Sequence, residues 1–438
     1  MTDTHWIGET FTSTVGWDHL EALVNIGNRM AGSDGEHEGL EATKEALSAV
    51  GARDVHLDEF AIQGWERGES SIEAGETTQS CIALPRSPSE QCSGELVDLG
   101  YGLPEDFEQD VAGKIVMVST TVPDDYDRFI HRREKYYYAV ENDAAGFIFA
   151  NHVTGCLPPT GSVGTADAPI GDIPAVGVSQ EVGGRLARRF DGEEITVNVT
   201  CSTPSATSAN VIAEFGPETD EEILVSSHVD AHDIAEGAMD NGAGTATVVE
   251  VAHALSMRAD ELDTRIRFIC YGSEEVGLVG SSYEAEKADH DKIKAIVNID
   301  SNVYGRTLKL WHHGFSSLET AAESVGEQFD HPISLSSELA PHSDHWPFVK
   351  WGVPGYMIAG ETEDRGRGWG HTFADTIEKL EPRNLREQAI LLTELVVSLA
   401  DADLSTTHKP PAEIAATLEK EDAAQGMKIT GDWPYDRV

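Results

Sequence analysis

Three short apolar runs in the second half of the chain end on residues able to hold a divalent cation. Residues 223–227 are followed by His228 and Asp230, residues 266–270 by Gly272-Ser273-Glu274-Glu275, and residues 296–299 by Asp300. A spacing of two puts the His228 and Asp230 side chains on one side of an extended segment. A neutral imidazole is a good zinc ligand, and a carboxylate two residues on can orient its other ring nitrogen. Asp240, in Asp240-Asn241-Gly242-Ala243-Gly244, opens a helical pattern, where it can cap the helix or bring a carboxylate near His228. Adjacent carboxylates such as Glu274 and Glu275 repel unless a cation or a proton neutralises them. One can bind a metal while its neighbour takes a proton from a water that the metal activates. His371 follows Gly368-Trp369-Gly370 on a glycine-rich loop and could close such a site. Mixed imidazole and carboxylate ligands suit zinc better than magnesium or calcium.

Each element alone is weak in a chain with 17 His and 77 acidic residues. Their placement makes them a set, because a mainly parallel sheet gathers ligands beyond the carboxyl ends of its strands. Residues 223–227, 266–270, 296–299, 308–311 and 355–358 read as short strands, and 245–257 and 316–328 as helices between them. That alternation predicts an α/β fold with a mixed, mainly parallel sheet flanked by helices. Near the N-terminus, 19–29 and 39–50 carry helical patterns and 55–60 alternates like a strand. Residues 66–205 differ in texture: Gly and Pro are frequent, and the strand-like runs 115–119, 146–150 and 195–200 are short. This predicts a β-rich domain (66–205) inserted into a discontinuous catalytic domain (1–65 and 206–438). The segment after Ser405 is polar and weakly patterned.

The 438 residues carry 31 Lys and Arg against 77 Asp and Glu, a net charge of −46, with only 12 Lys among the bases. Such a chain is repelled by phosphate backbones and anionic membranes, which excludes nucleic acid and membrane surfaces as partners. Acid excess spread along a foldable chain predicts adaptation to high salt, where ions screen self-repulsion. Residues 1–17 hold no Lys or Arg and do not read as a secretory signal. No apolar run is long enough to cross a bilayer, so a cytoplasmic protein is expected. Five Cys without a Cys-x-x-Cys pair read as reduced structural thiols.

Together the order of these motifs resembles a zinc exopeptidase family, that of bacterial leucyl aminopeptidase, aminopeptidase Y and glutamate carboxypeptidase II. The resemblance rests on His228-Val229-Asp230, Asp240-Asn241-Gly242, Glu274-Glu275, Asn298-Ile299-Asp300, His371 and Ser343-Asp344-His345-Trp346-Pro347-Phe348. Arg29-Met30-Ala31-Gly32-Ser33 is similar to an N-terminal signature of that family. The resemblance implies a zinc-peptidase, phosphorylase/hydrolase-like fold and two zinc ions, with Co2+ or Mn2+ able to occupy similar sites. Asp240 would bridge the two ions. Glu275 and His371 would complete one ligand set, and His228 and Asp300 the other. Glu274 would be the general base and Asp230 the partner of His228.

Within the insertion, Val111-Ala112-Gly113-Lys114-Ile115-Val116, Ala144-Ala145-Gly146-Phe147-Ile148 and Ile173-Pro174-Ala175-Val176 are similar to a protease-associated domain. Several family members stabilise the oxyanion with a Tyr. None stands directly before His371 or just before Ser343 here, and His345 is the substitute candidate. The implied function is an aminopeptidase that removes N-terminal residues from peptides. Alternatives within the family are a carboxypeptidase, for which Arg365 and Arg367 could hold a free carboxylate, and a single-zinc glutaminyl cyclase. A non-catalytic peptide-binding relative belongs to a different class and predicts missing ligands; none is missing. Glu361, Glu363 and Asp364 would suit a free α-amine better than a carboxylate.

Overall fold

Strands 222–228, 265–271 and 293–299 carry apolar cores and are buried almost throughout, which requires both faces of a sheet to be covered. The structure, a computed structural model describing residues 4–126, 128–361 and 368–436, builds its main sheet around them. Across that sheet the order is Arg53–Gln63, Ser205–Phe215, Arg265–Tyr271, Glu222–His228, Ile293–Ile299, Gly355–Gly360, Leu308–Trp311, Ile333–Ser336. The four strands from Arg265–Tyr271 to Gly355–Gly360 are mutually parallel, and the flanking pairs are mixed. Parallel neighbours need crossovers. Helices Ala243–Ser256 and Val279–Lys287 supply two of them. Ala243–Ser256 is buried nearly end to end and packs against Pro382–Ala400 and Val15–Val24. The metal-capable residues His228, Glu274, Glu275 and Asp300 therefore all lie at one end of the parallel strands.

A second eight-stranded sheet is formed by Thr77–Gln79, Glu66–Ala74, Glu194–Ser202, Gln91–Asp98, Ile115–Ser119, Gly146–Ala150, Ala175–Val178 and Ile82–Ala83, in that order. Its two exits are neighbours: Arg53–Gln63 pairs antiparallel with Ser205–Phe215, and Gln63 faces Ser205.

Several sequence expectations change. The helix expected at 19–29 is Val15–Val24, because the chain turns at Asn28 (φ 49°) to bury Arg29. The second sheet also carries helices: Arg132–Glu141 crosses between the parallel strands Ile115–Ser119 and Gly146–Ala150, and Gln180–Phe190 joins Ala175–Val178 to Glu194–Ser202. The weakly patterned C-terminal segment folds into Pro411–Lys420 and Ala423–Ile429, with Ile414, Leu418, Met427 and Tyr435 buried in the main core. All five cysteines are free, and Cys156 is exposed rather than packed in a core. Among the described residues no helix is long and apolar enough to cross a membrane.

Candidate metal centre

Two ligand groups meet at the carboxyl ends of the parallel strands. His228, Asp240 and Asp300 form one; His232, Glu275 and His371 form the other. Asp240 faces both, with Oδ1 3.3 Å from His228 Nε2 and Oδ2 3.1 Å from His371 Nε2. Asp300 Oδ1 is 3.8 Å from His228 Nε2, and Glu275 Oε2 is 3.4 Å from His371 Nε2. Glu274 stands slightly back, its Oε2 4.0 Å from His228 Nε2. All five residues expected as ligands, and Glu274, are thus brought together. His232 was not anticipated.

Each position is held by the chain around it. Ser273 and Ser301, beside Glu274 and Asp300, take left-handed backbone with φ of 60°, and His371 itself has φ 54°. Such conformations persist only where neighbours enforce them. Glu36 accepts the Ser273 N–H (2.8 Å), the Gly32 N–H (2.6 Å) and the Ser208 hydroxyl (2.9 Å), which pins the turn before Glu274. Burial, reinforced by Asp230, pushes the Glu36 carboxyl up to about 8. The Asn241 amide donates to the Ile299 carbonyl (2.9 Å), and its oxygen accepts from Gly244 and Ser301, tying the Asp240 loop to the end of the Asp300 strand. Asp375 accepts the N–H groups of Met239 (2.8 Å) and Asp240 (3.1 Å). Arg29 is buried and donates to the carbonyls of Leu23, Val229, Glu236 and Gly237, so one guanidinium clamps both ends of the loop between His228 and Asp240.

Asp230 stands beside His228, with its carbonyl 3.1 Å and its carboxylate 3.5 Å from the imidazole Nδ1. The carboxylate also accepts the N–H groups of Glu274 (3.0 Å) and Glu275 (3.1 Å), setting the direction of both glutamates. His345 is not brought to the centre. It precedes helix Trp346–Val349, its ring stacks on His313 at 4.8 Å, and burial holds its pKa well below the usual histidine range. Glu361 accepts the Ser334 hydroxyl (3.0 Å) and does not line the cleft described below. Arg365, Arg367, Glu363 and Asp364 lie outside the described residues.

The residues fit divalent metals. Carboxylates of Asp230, Asp240, Glu275 and Asp300 are buried together, a packing of like charge that a cation relieves. His228 Nε2, Glu275 Oε1 and both ring nitrogens of His232 are buried without a hydrogen-bond partner. Burial raises Glu274 well above the usual carboxylate range; His228 opposes this, while Glu275, Asp344 and Asp300 add to it. Glu275 is also buried, yet His232 and His371 hold it well below that range. Two adjacent carboxyls pushed apart in this way suit different tasks.

The centre opens into a cleft of about 470 Å³ whose far wall is the second sheet unit, including Phe129, His131 and Asn151. That unit grips the loops of the metal-capable residues directly. Arg67 pairs with Asp233 (2.6 Å), Arg86 donates to the Val276 carbonyl (2.5 Å), and the Thr160 N–H donates to the His371 carbonyl (2.8 Å).

Comparison with known proteins shows the family and the fold. The model of peptidase family M28 matches residues 210–396, and that of the PA domain residues 82–186. Leucine aminopeptidase 2 of Arthroderma otae is 30% identical over 92% of this chain and 85% of its own length. The chain belongs to peptidase family M28. Aminopeptidase YwaD of Bacillus subtilis is 30% identical over 68% of this M28 chain, which spans 65% of that relative. The fold is shared with a Peptidase M28 precursor from Shewanella amazonensis (TM-score 0.75, 22% identity, 93% of this chain and 98% of that one). It is shared too with a zinc aminopeptidase from Bacillus subtilis (TM-score 0.71, 24% identity, 91% and 98%).

Proposed function

We propose that this M28 peptidase is a two-zinc aminopeptidase that removes N-terminal residues from peptides in concentrated salt. Asp240 carries the reading: its two carboxylate oxygens face two separate ligand groups, at 3.3 and 3.1 Å. One group is His228, Asp240 and Asp300; the other includes Asp240, Glu275 and His371. When bound, two zinc ions supply polarisation of the scissile carbonyl and acidification of water. Glu274, beside the first group but a member of neither, takes the water's proton and passes it to the leaving amine. Asp230 fixes the direction of Glu274 through its backbone N–H.

Release of an N-terminal residue is favoured over a C-terminal one by the state of two of the three arginines that line the cleft; the third, Arg132, donates its Nε to the Ser162 carbonyl (2.9 Å). Arg128 is engaged by Glu134 and Arg133 by Asp432, which leaves neither as a fork for a free carboxylate. The names of the relatives support the same choice. The acid excess supports a working medium of high salt. The unit inserted between 66 and 205 forms the wall that limits entry to chain ends.

The deciding experiment is metal analysis by mass spectrometry on protein purified in molar KCl, followed by assay of leucyl-p-nitroanilide beside N-acetylated dipeptides. Two zinc ions per chain and cleavage of only the free-amine substrate are expected. Cleavage of only N-acetylated dipeptides would replace the reading with a carboxypeptidase, and one zinc with cyclisation of N-terminal glutamine would replace it with a cyclase.

A further inference from the structure

The loop from His228 to Asp240 carries one imidazole that the five-ligand arrangement leaves without a task. His232 is 5% exposed, although it stands in a loop. Its ring centroid is 4.5 Å from that of His371 and nearly perpendicular to it, at 86°. Its Nε2 lies 3.0 Å from Glu275 Oε2. That approach has no hydrogen-bond geometry, and neither ring nitrogen has a hydrogen-bond partner. A buried imidazole in this condition loses hydration with nothing in return.

A shared cation accounts for all of these features. Ligand atoms at about 2.0–2.1 Å from a tetrahedral zinc are separated by about 3.3 Å along the tetrahedron's edges. The measured separations are 3.0 Å for His232 to Glu275, 3.4 Å for Glu275 to His371 and 3.1 Å for His371 to Asp240. Two ligands of one metal approach closely without pointing a proton at each other, as His232 and Glu275 do.

We propose that His232 is a ligand of the second metal, so that this site is built from two imidazoles, Glu275 and the shared Asp240. The inference rests on the two-metal reading above. It makes the pair of sites unequal. The first has one nitrogen among its ligands and two Asp, the second two nitrogens. Nitrogen-rich sites hold zinc and cobalt more firmly, whereas oxygen-rich ones admit manganese. The second site therefore fills first and exchanges last, and manganese added to partly loaded protein enters the first.

Cadmium NMR on the full chain tests this without relying on a variant. Protein with 15N-labelled histidine is stripped of metal, then loaded with 113Cd in molar KCl. Couplings from three imidazoles are expected: one to one cadmium and two to the other, with one of that second pair absent in His232→Asn. Metal affinity is read separately by competition with a chromophoric chelator. In His232→Asn the tighter site should weaken by at least about 100-fold, beyond the 10–100-fold of a residue acting from behind a ligand. The weaker site should stay within a few-fold of the parent and so report an intact fold.

Two cadmium ions with couplings from only two imidazoles would overturn the role of His232 while leaving the two-metal reading standing. So would unchanged affinities in His232→Asn. A parent chain that binds fewer than two ions would remove the reading itself.

Discussion

Glu274 and Glu275 are adjacent residues of the same type in the same buried turn, both oriented by Asp230, so general damage should affect their substitutions alike. Their surroundings predict opposite outcomes. Glu275 Oε2 lies 3.0 and 3.4 Å from two imidazoles, within the edge lengths of a coordination tetrahedron. Glu274 Oε2 approaches His228 Nε2 only to 4.0 Å. Glu274→Gln keeps shape but cannot accept a proton. Turnover should fall by about 10²–10⁴, or roughly 3–5 kcal/mol of barrier at about 1.4 kcal/mol per decade, with two metals retained. Glu275→Gln removes a charged ligand, so its metal affinity should fall by more than about 100-fold and activity should return in part with excess zinc. Metal content by mass spectrometry beside steady-state kinetics separates the two. If Glu274→Gln lost metal and Glu275→Gln kept it, the roles are exchanged; if neither altered rate or metal content, this is not the active centre.

Arg29→Met leaves four carbonyls, three of them buried, without their guanidinium and should cost about 3–5 kcal/mol in denaturant unfolding, with Arg29→Lys recovering only part; a loss under 1 kcal/mol would deny the clamp. Arg86→Met should loosen the turn after Glu275, lowering metal affinity several-fold while both sheets stay folded by circular dichroism; unchanged affinity would make that contact passive. Burial, with Arg29 nearby, lowers His19 to about 4 from the usual 6.5, so it is neutral in the fold and takes up a proton on unfolding. Its contribution is intact above about pH 6.5 and declines by up to about 3 kcal/mol as pH falls towards 4, at about 1.4 kcal/mol per unit; His19→Gln should flatten that part of the stability profile. With a net charge of −46, the melting temperature should drop as KCl is lowered from molar to dilute, and a constant value would refute the salt adaptation.

The strands that lead to the metal-capable residues were legible because burial on both faces favours short apolar runs, and the residues after them are polar against that background. Residues 115–119 and 146–150 match their strands end to end for the same reason, and 308–311 matches its strand although its burial alternates. Arg132–Glu141 was illegible because Tyr136, Tyr137 and Tyr138 are all buried, which erases the 3.6-residue period. The C-terminal helices left one usable sign, Pro411 at a helix start, which a polar reading of the segment passed over. His232 had a sign too, standing two residues beyond Asp230 as Asp230 stands beyond His228. In a chain with 17 histidines, only the folding of the loop against Glu275 distinguishes it. His345 misled for the opposite reason: a motif position says nothing about which layer receives the ring, and here that layer is the one holding His313.

The pairing of Gln63 with Ser205 bears on how such a molecule could have been assembled. The polypeptide leaves the main sheet and returns to it at two facing residues of one antiparallel ladder. Everything between 64 and 204 occupies the place of a hairpin turn, so a two-residue turn could close the ladder with no strand moved. Acquiring the insert needs no change in the order of the remaining strands, which makes it an easy module to gain or exchange. Losing it is a different matter. Arg67, Arg86 and Thr160 each hold one of three loops that end in metal-capable residues. A chain shortened at the ladder would keep its topology yet release those three loops together. On the proposed reading, a module joined through a single turn would also be part of the scaffold of the reaction centre.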